Sequence, residues 1–167
     1  MTRRDFLFKW LFYSCATLTF IALQHLLLNR LEVWGVHPFL LPILAVLPAT
    51  LESRQESIFY AIALGLICDL RTAAPIPIFY TMVFLLAALL TSQIAGRLIM
   101  PGFLCAFLCG LLALVLCNLL QFLLTFSQGY PAATALHLMG REVLLSAPAA
   151  VLIFPVYRKI FRRIRNE

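Results

Sequence analysis

The side chains of this chain that could do chemistry are few, and they lie at the ends of apolar runs. Asp69 and Arg71 close one run, and Arg141 and Glu142 open another. Adjacent residues on a helix point about 100° apart, so Arg141 and Glu142 are poor partners for each other. We expect pairs between helices instead, Asp69 with Arg141 or Arg71 with Glu142, either as structural pairs or as contacts for a partner protein.

Catalytic, cofactor and metal sites are not indicated. The sequence contains no nucleotide-binding loop, no metal-binding helix motif and no Ser-x-x-Lys motif. His25, His37 and His137 are scattered without ligand spacing, and Ser127 with His137 lacks a third group to orient the pair. We therefore expect no catalytic residue, no cofactor and no enzyme activity. A lipid-modifying membrane enzyme is the least favoured class, because carboxylates and histidines are too sparse.

The composition of the chain is that of a membrane protein. Hydrophobic residues make up 63% of its 167 residues and charged residues only 12%, and the apolar runs are long enough to cross a bilayer. We predict an all-α fold, a polytopic membrane bundle of about six transmembrane helices that forms a single domain over 1–167. The expected segments are 6–28, 38–51, 57–70, 77–95, 102–126 and 138–157, followed by a basic cytoplasmic tail at 158–167.

The second segment is the least regular, since it is short and carries Pro38, Pro42 and Pro48. Proline removes a helix hydrogen bond, so we expect this segment to be kinked, tilted or partly interfacial. The distribution of positive charge nevertheless indicates that it crosses. With six spans, ten of the 13 Lys and Arg residues share the side of both termini, and only Arg30, Arg71 and Arg141 lie on the other. The positive-inside rule then places both termini in the cytoplasm.

The basic residues of the tail are Arg158, Lys159, Arg162, Arg163 and Arg165. They either stop the last helix at the membrane boundary or hold anionic lipid headgroups. Because the net charge of +6 gathers at the two ends of the chain, it is explained by membrane topology, and we expect no nucleic-acid partner.

Small residues indicate where helices approach closely. Ala61 and Gly65 recur with Asp69 every four residues and share one helix face, and Gly102, Ala106 and Gly110 form a second line. Such lines allow close helix packing in lipid. They are consistent with packing inside this bundle or with contact to the transmembrane helix of a partner.

The order of these features resembles the MreD family, the rod shape-determining membrane proteins of bacteria. The resemblance rests on three stretches: the Pro-led start of the second segment, the charged turn Glu52–Glu56, and the run Gly65-Leu66-Ile67-Cys68-Asp69-Leu70. The family usually has a glycine some eight or nine residues after the acid. This chain has Pro77-Ile78-Phe79 in that place.

The resemblance implies a non-catalytic, multi-pass scaffold in the bacterial cytoplasmic (inner) membrane. Such a protein serves the cell-elongation machinery and helps to maintain rod shape and lateral peptidoglycan synthesis. The partners implied are MreC, RodA with its penicillin-binding transpeptidase, indirectly MreB, and membrane lipids. MreC is a bitopic protein with a large periplasmic domain.

The resemblance also implies a fold similar to the substrate-binding subunits of energy-coupling-factor vitamin transporters. The outer mouth near Asp69 and Arg71 would then be a former ligand pocket that now serves as a docking surface. A vitamin-binding transporter subunit is accordingly the alternative function. Those subunits usually carry two alanines four residues apart on the first helix, whereas here Ala16 and Ala22 are six apart.

Overall fold

The computed structural model describes residues 3–26, 28–30, 34–71, 76–95, 102–127 and 132–165. Within these ranges the chain has six α-helices and no strand, which confirms the predicted all-α class. The helices overlap the six predicted segments one by one, and a 3-10 turn follows the first of them at Leu28–Arg30. They are α1 (Arg3–Leu26), α2 (Leu41–Leu51), α3 (Arg54–Arg71), α4 (Phe79–Ile94), α5 (Phe103–Ser127) and α6 (Ala132–Arg165).

The short helix α2 is the centre of the fold. Residues 41–50 are all buried, and α2 packs against α3, α4, α5 and α6. Pro42 lies in the first turn, where its missing amide costs no helix hydrogen bond. Pro48 lies in the last turn, and its carbonyl accepts from the Glu52 amide at 2.8 Å. The segment is apolar on every side and buried by other helices on every side, which makes it a core helix of the bundle.

Side-chain contacts define two ends of the bundle. At the terminal end, Lys9 in the first half of α1 contacts Glu56 in the first turn of α3, and Tyr157 in the second half of α6 contacts Tyr60 one turn further along α3. At the opposite end, Asp69 near the end of α3 contacts the start of α4, and Arg141 near the start of α6 reaches the Trp34 carbonyl. The first and last helices therefore have their chain-terminal halves at the same end.

Two of the described helices are long and apolar enough to cross a membrane, over Phe103–Leu124 in α5 and Leu136–Lys159 in α6. Only 44% and 22% of their most apolar stretches are buried inside the bundle. Large apolar side chains also point outward from other helices, such as Phe59 of α3 at 73% exposure. Extended apolar surface of this kind marks contact with a membrane or with another protein.

Candidate functional site

Polar side chains run inward from the terminal end, between α1, α3 and α6. On α1 they recur every fourth residue and so share one face, as do Glu56 and Tyr60 on α3, while Glu52 lies in the turn before α3. We call this set the polar seam; it consists of Lys9, Tyr13, Thr17, Glu52, Glu56, Tyr60 and Tyr157.

Lys9 is the centre of the charged part of the polar seam. Its side chain is 3% exposed, and its Nζ lies 2.6 Å from Glu52 Oε2 and 2.8 Å from Glu56 Oε2. The hydroxyl of Tyr13 donates to Glu52 Oε1 at 3.1 Å. Burial raises the pKa of Glu52, while the hydrogen bonds from Lys9 and Tyr13 oppose that shift. With both carboxyls ionised, one ammonium and two carboxylates leave the cluster with one net negative charge.

Three hydroxyls close the inner part of the polar seam. Thr17 Oγ1 lies 2.7 Å from the Tyr60 oxygen and 2.9 Å from the Tyr157 oxygen, and the two tyrosine oxygens are 3.0 Å apart. Thr17 also donates its proton to the Tyr13 carbonyl at 2.7 Å, so it accepts from the tyrosines. This hydroxyl triangle joins α1, α3 and α6. Buried networks of this kind orient helices because each group finds its partner in only one arrangement.

Asp69 caps the start of α4 from the neighbouring helix α3. Its Oδ1 accepts from the Tyr80 amide at 2.9 Å, and its Oδ2 accepts from the Thr81 amide at 3.0 Å and the Thr81 hydroxyl at 2.7 Å. The first amides of a helix have no partner within the helix, and a negative charge there is stabilised by the helix dipole. The carboxylate therefore serves as a capping group.

Gly65 and Ile78 complete the same contact. A Cβ on Gly65 would lie 2.9 Å from the Thr81 nitrogen, closer than carbon atoms tolerate, so only glycine lets α3 approach α4 this closely. Ile78, directly before α4, has φ 66° and ψ 17°, the left-handed region that favours glycine. We call Gly65, Asp69, Ile78, Tyr80 and Thr81 the α3–α4 joint.

Three of the four polar residues expected to pair across helices, Asp69, Arg141 and Glu142, have other partners. Asp69 is bound to α4 and does not pair with Arg141, which donates to a backbone carbonyl before α2 at 3.1 Å. Glu142 accepts from the side chain of Asn118, and Arg71 is exposed. Asp69 binds amides in place of a cation because α3 and α4 pack closely. That packing brings the unpaired amides at the start of α4 within hydrogen-bond distance of its carboxylate.

No protein family, curated protein or solved structure matches the chain. In the part of the chain that the structure describes, His, Cys, Asp and Glu side chains form no group of three that could hold a metal ion.

The small-residue lines lie against other helices of the bundle. Ala61 is fully buried, and Ala106 is 2% exposed. A Cβ on Gly110 would meet Ile43 of α2 at 3.5 Å, which is ordinary contact, and Gly102 is half-buried just before α5. These faces are therefore occupied within the chain.

The basic tail continues α6 past its apolar part. Arg158 and Lys159 are exposed, and the Arg158 guanidinium lies 6.0 Å from the centre of the Phe154 ring. The side chains of Arg162, Arg163 and Arg165 lie outside the described residues.

An apolar groove of 590 Å³ runs beside the polar seam. Its walls are α1 on one side and α3 on the other, Tyr60 and Leu64 lie in its lining, and Glu56 belongs to its lining near the terminal end. We call it the α1–α3 groove. Because both walls follow helix axes, the groove suits an elongated apolar occupant.

The polar seam was not found by sequence reasoning, although the sequence carries a signal for it. Lys9, Tyr13 and Thr17 are spaced four apart inside an apolar run, and Glu52, Glu56 and Tyr60 have the same spacing from the charged turn into the third segment. A polar stripe with helical spacing in an apolar segment indicates a buried contact between helices.

Proposed function

We propose that this protein is a non-catalytic membrane scaffold of the bacterial cell-elongation machinery, resembling MreD, that binds MreC and helps to maintain rod shape. The observation that carries the proposal is the α3–α4 joint. Gly65 and Asp69, which carry the resemblance, both contact Thr81 of α4. Ile78 has a left-handed backbone in the place where the family usually has glycine.

The proposed setting is the cytoplasmic membrane, with six spans and both termini in the cytoplasm. The apolar stretches of α5 and α6 and their outward-facing side chains support a membrane location. The shared end of α1 and α6 supports termini on one side. The excess of Lys and Arg at that end supports the cytoplasmic side.

Reporter fusions test this topology. A cytoplasm-active reporter fused after residue 167 and one inserted in 96–101 should be active, and a periplasm-active reporter inserted in 72–75 or 128–131 should be active. The reverse pattern at either pair would contradict both termini being cytoplasmic.

A scaffold acts through surfaces that its own fold leaves open. Gly65, Asp69 and Gly110 are occupied within the bundle, so partner contact is proposed on the outward helix faces. MreC would contribute a single transmembrane helix, and RodA with its transpeptidase and MreB would be reached through the same complex.

Co-purification with MreC from the same bacterium tests the function. The full chain, tagged and extracted in mild detergent, should recover MreC in stoichiometric amount, and an unrelated single-span membrane protein at equal expression should not be recovered. Asp69→Ala and Gly65→Leu should lower recovery in proportion to the folded protein that they lose. Absence of MreC from the wild-type eluate would overturn the proposal.

Mass spectrometry of the same preparation addresses the alternative function. A vitamin-binding transporter subunit would retain a vitamin in stoichiometric amount. Such a ligand, found in protein purified without added vitamin, would replace the scaffold with the transporter subunit.

A further inference from the structure

We propose that the α1–α3 groove holds a transmembrane helix of a partner protein, and that a Lys or Arg of that helix pairs with Glu56. The inference rests on the proposed function, which supplies a single-span partner, and adds the place where that partner binds.

The shape of the groove suits a helix. Its two walls run side by side from the terminal end, along Ser14 and Leu18 of α1 and along Phe59, Ala63 and Ile67 of α3. These wall residues are spaced four apart, which forms the ridges between which the side chains of a third helix pack. From Phe59 to Ile67 the wall is about 12 Å long at 1.5 Å per residue. That length is about two turns of an occupying helix.

The walls also have the residue types of a helix contact. Ser14 and Ala63 are small and exposed, so another helix can approach both walls closely. Phe59 stands beside them at 73% exposure and offers a large apolar surface of the kind that anchors protein interfaces. Neighbouring helices of the chain do not cover this side, because α1 packs mainly on α6 and α3 mainly on α4.

The charge of the groove indicates what the occupant carries. Glu56 is 24% exposed and shares Lys9 with Glu52, so with both carboxyls ionised one negative charge is uncompensated among the side chains that form the cluster. Arg54 is exposed and two residues away on α3, so it points to a different side of the helix. A negative charge at the edge of an apolar groove is stabilised by a cation brought to it.

A single-span helix brings such a cation to this place. Transmembrane helices carry Lys and Arg at their cytoplasmic boundary, and the Glu56 end of the groove is the end that holds the basic termini of this chain. An uncharged acyl chain would fill the groove without compensating Glu56. The occupant favoured by both shape and charge is therefore a helix with a basic boundary residue.

Photo-crosslinking without filling the groove tests the position. A benzophenone amino acid replaces Phe59, an aromatic residue of the groove lining that is 73% exposed, or Val115, which is exposed on α5, a helix that packs on α2, α4 and α6. With the single-span partner co-expressed in membranes, the Phe59 probe should give at least tenfold more crosslink to the transmembrane helix of that partner. Equal crosslinking from both positions would overturn the inference.

Groove filling and charge removal test the same contact by co-purification. Ala63→Trp should lower recovery of the partner at least tenfold, and Val115→Trp should leave it unchanged. Glu56→Gln should lower recovery at least threefold, and Arg54→Gln should not. Each variant is compared at equal yield of monodisperse protein, and the crosslinking result stands on its own where a variant fails to fold.

The outcomes separate the site from the function. Partner recovered by the wild type and equally by Ala63→Trp would overturn the groove site and leave the scaffold proposal standing. No recovery by the wild type would overturn both. A phospholipid retained in stoichiometric amount by the wild type and lost from Ala63→Trp, with partner recovery unchanged, would assign the groove to lipid and overturn the helix.

Discussion

Ile78 holds a backbone conformation that glycine adopts without strain. Its φ is 66° and its side chain is 50% exposed, so a substitution removes strain and little packing. We predict that Ile78→Gly stabilises the protein by about 1 kcal/mol, since a left-handed conformation costs a side-chain-bearing residue roughly that much. Thermal unfolding in detergent measures the effect.

Ile76 provides the matched control for Ile78. It is 47% exposed, and the positive φ values at non-glycine residues in the described ranges are those of Trp34 and Ile78. Ile76→Gly should therefore give no gain in the unfolding temperature. A loss with Ile78→Gly as large as with Ile76→Gly would show that strain at Ile78 does not limit stability.

Asp69 contributes three hydrogen bonds to the start of α4. We predict that Asp69→Ala lowers the free energy of unfolding by about 1–2 kcal/mol, because helix amides lose their capping acceptor. Asp69→Asn keeps one acceptor oxygen and loses the charge, so its loss should be intermediate. Denaturant unfolding in detergent measures both, and equal stability of all three proteins would contradict the capping role.

At the residue scale, the sequence identified the residues that form the contact between α3 and α4 on the α3 side, but it did not identify their partners on α4. Asp69 and Gly65 stand out in the sequence because an acid and a glycine with helical spacing are unusual in an apolar run. Their shared partner, Thr81, is an ordinary polar residue 12 positions beyond Asp69. The backbone amides that bind Asp69 have no side-chain signature, so the sequence led to Arg141 instead.

The close contact between α3 and α4 depends on the absence of a side chain at Gly65. A Cβ on Gly65 would lie 2.9 Å from the Thr81 nitrogen, and backbone atoms cannot move without separating the helices. We predict that Gly65→Ala destabilises the protein by about 1–3 kcal/mol, the usual cost of overpacking. Thermal unfolding in detergent measures this loss.

Gly110→Ala is the matched control for Gly65→Ala. Its Cβ would lie 3.5 Å from a methyl of Ile43, an ordinary contact, and alanine favours helix over glycine. Stability should be unchanged or higher. A loss at Gly110 equal to the loss at Gly65 would show that helix glycines matter here for a reason other than close approach to α4.

At the element scale, helices were predictable because apolar length and proline positions are properties of the sequence itself. The central place of α2 was not, since its short length and prolines predicted only a kinked, tilted or partly interfacial segment. Pro42 and Pro48 occupy the first and last turns, and the residues between them are apolar on every side. A short apolar helix between two prolines can be recognised as a core helix only once the helices that surround it are known.

The buried ammonium of Lys9 joins α1 to the start of α3 at the terminal end of the bundle, through its ion pairs with Glu52 and Glu56. We predict that Lys9→Met lowers the free energy of unfolding by about 3–5 kcal/mol, because it leaves buried carboxylates without their cation. Adding Glu56→Gln to Lys9→Met should recover part of this loss, since one unpaired carboxylate is removed. Denaturant unfolding of the single and double variants in detergent measures both steps.

Arg54→Met is the control for Lys9→Met at the same end of the bundle. Arg54 is exposed, so removing its charge should change stability by less than about 0.5 kcal/mol. A loss at Lys9 no larger than the loss at Arg54 would show that the ion pairs of the polar seam contribute nothing net to the fold.

At the scale of the whole molecule, counting helices and charges predicted both termini on one side of the membrane, and the chain-terminal halves of α1 and α6 lie at one end of the bundle. The polar seam did not follow, although its four-residue spacing on α1 and α3 was visible. Which helix faces meet is decided by packing over long separations. Tyr157 contacts Thr17, which lies 140 positions earlier in the chain, and no local sequence pattern predicts such a partner.

The hydroxyl triangle of Thr17, Tyr60 and Tyr157 also sets an order of assembly. Residues leave the ribosome in sequence, so Thr17 meets Tyr60 early but waits for Tyr157 until nearly the whole protein has been made. Since α1 packs mainly on α6, most contacts of the first helix with the rest of the bundle can form only after the last helix has been made. The ion pairs of Lys9 join residues 43 and 47 positions apart, so these contacts become available to the first helix much earlier.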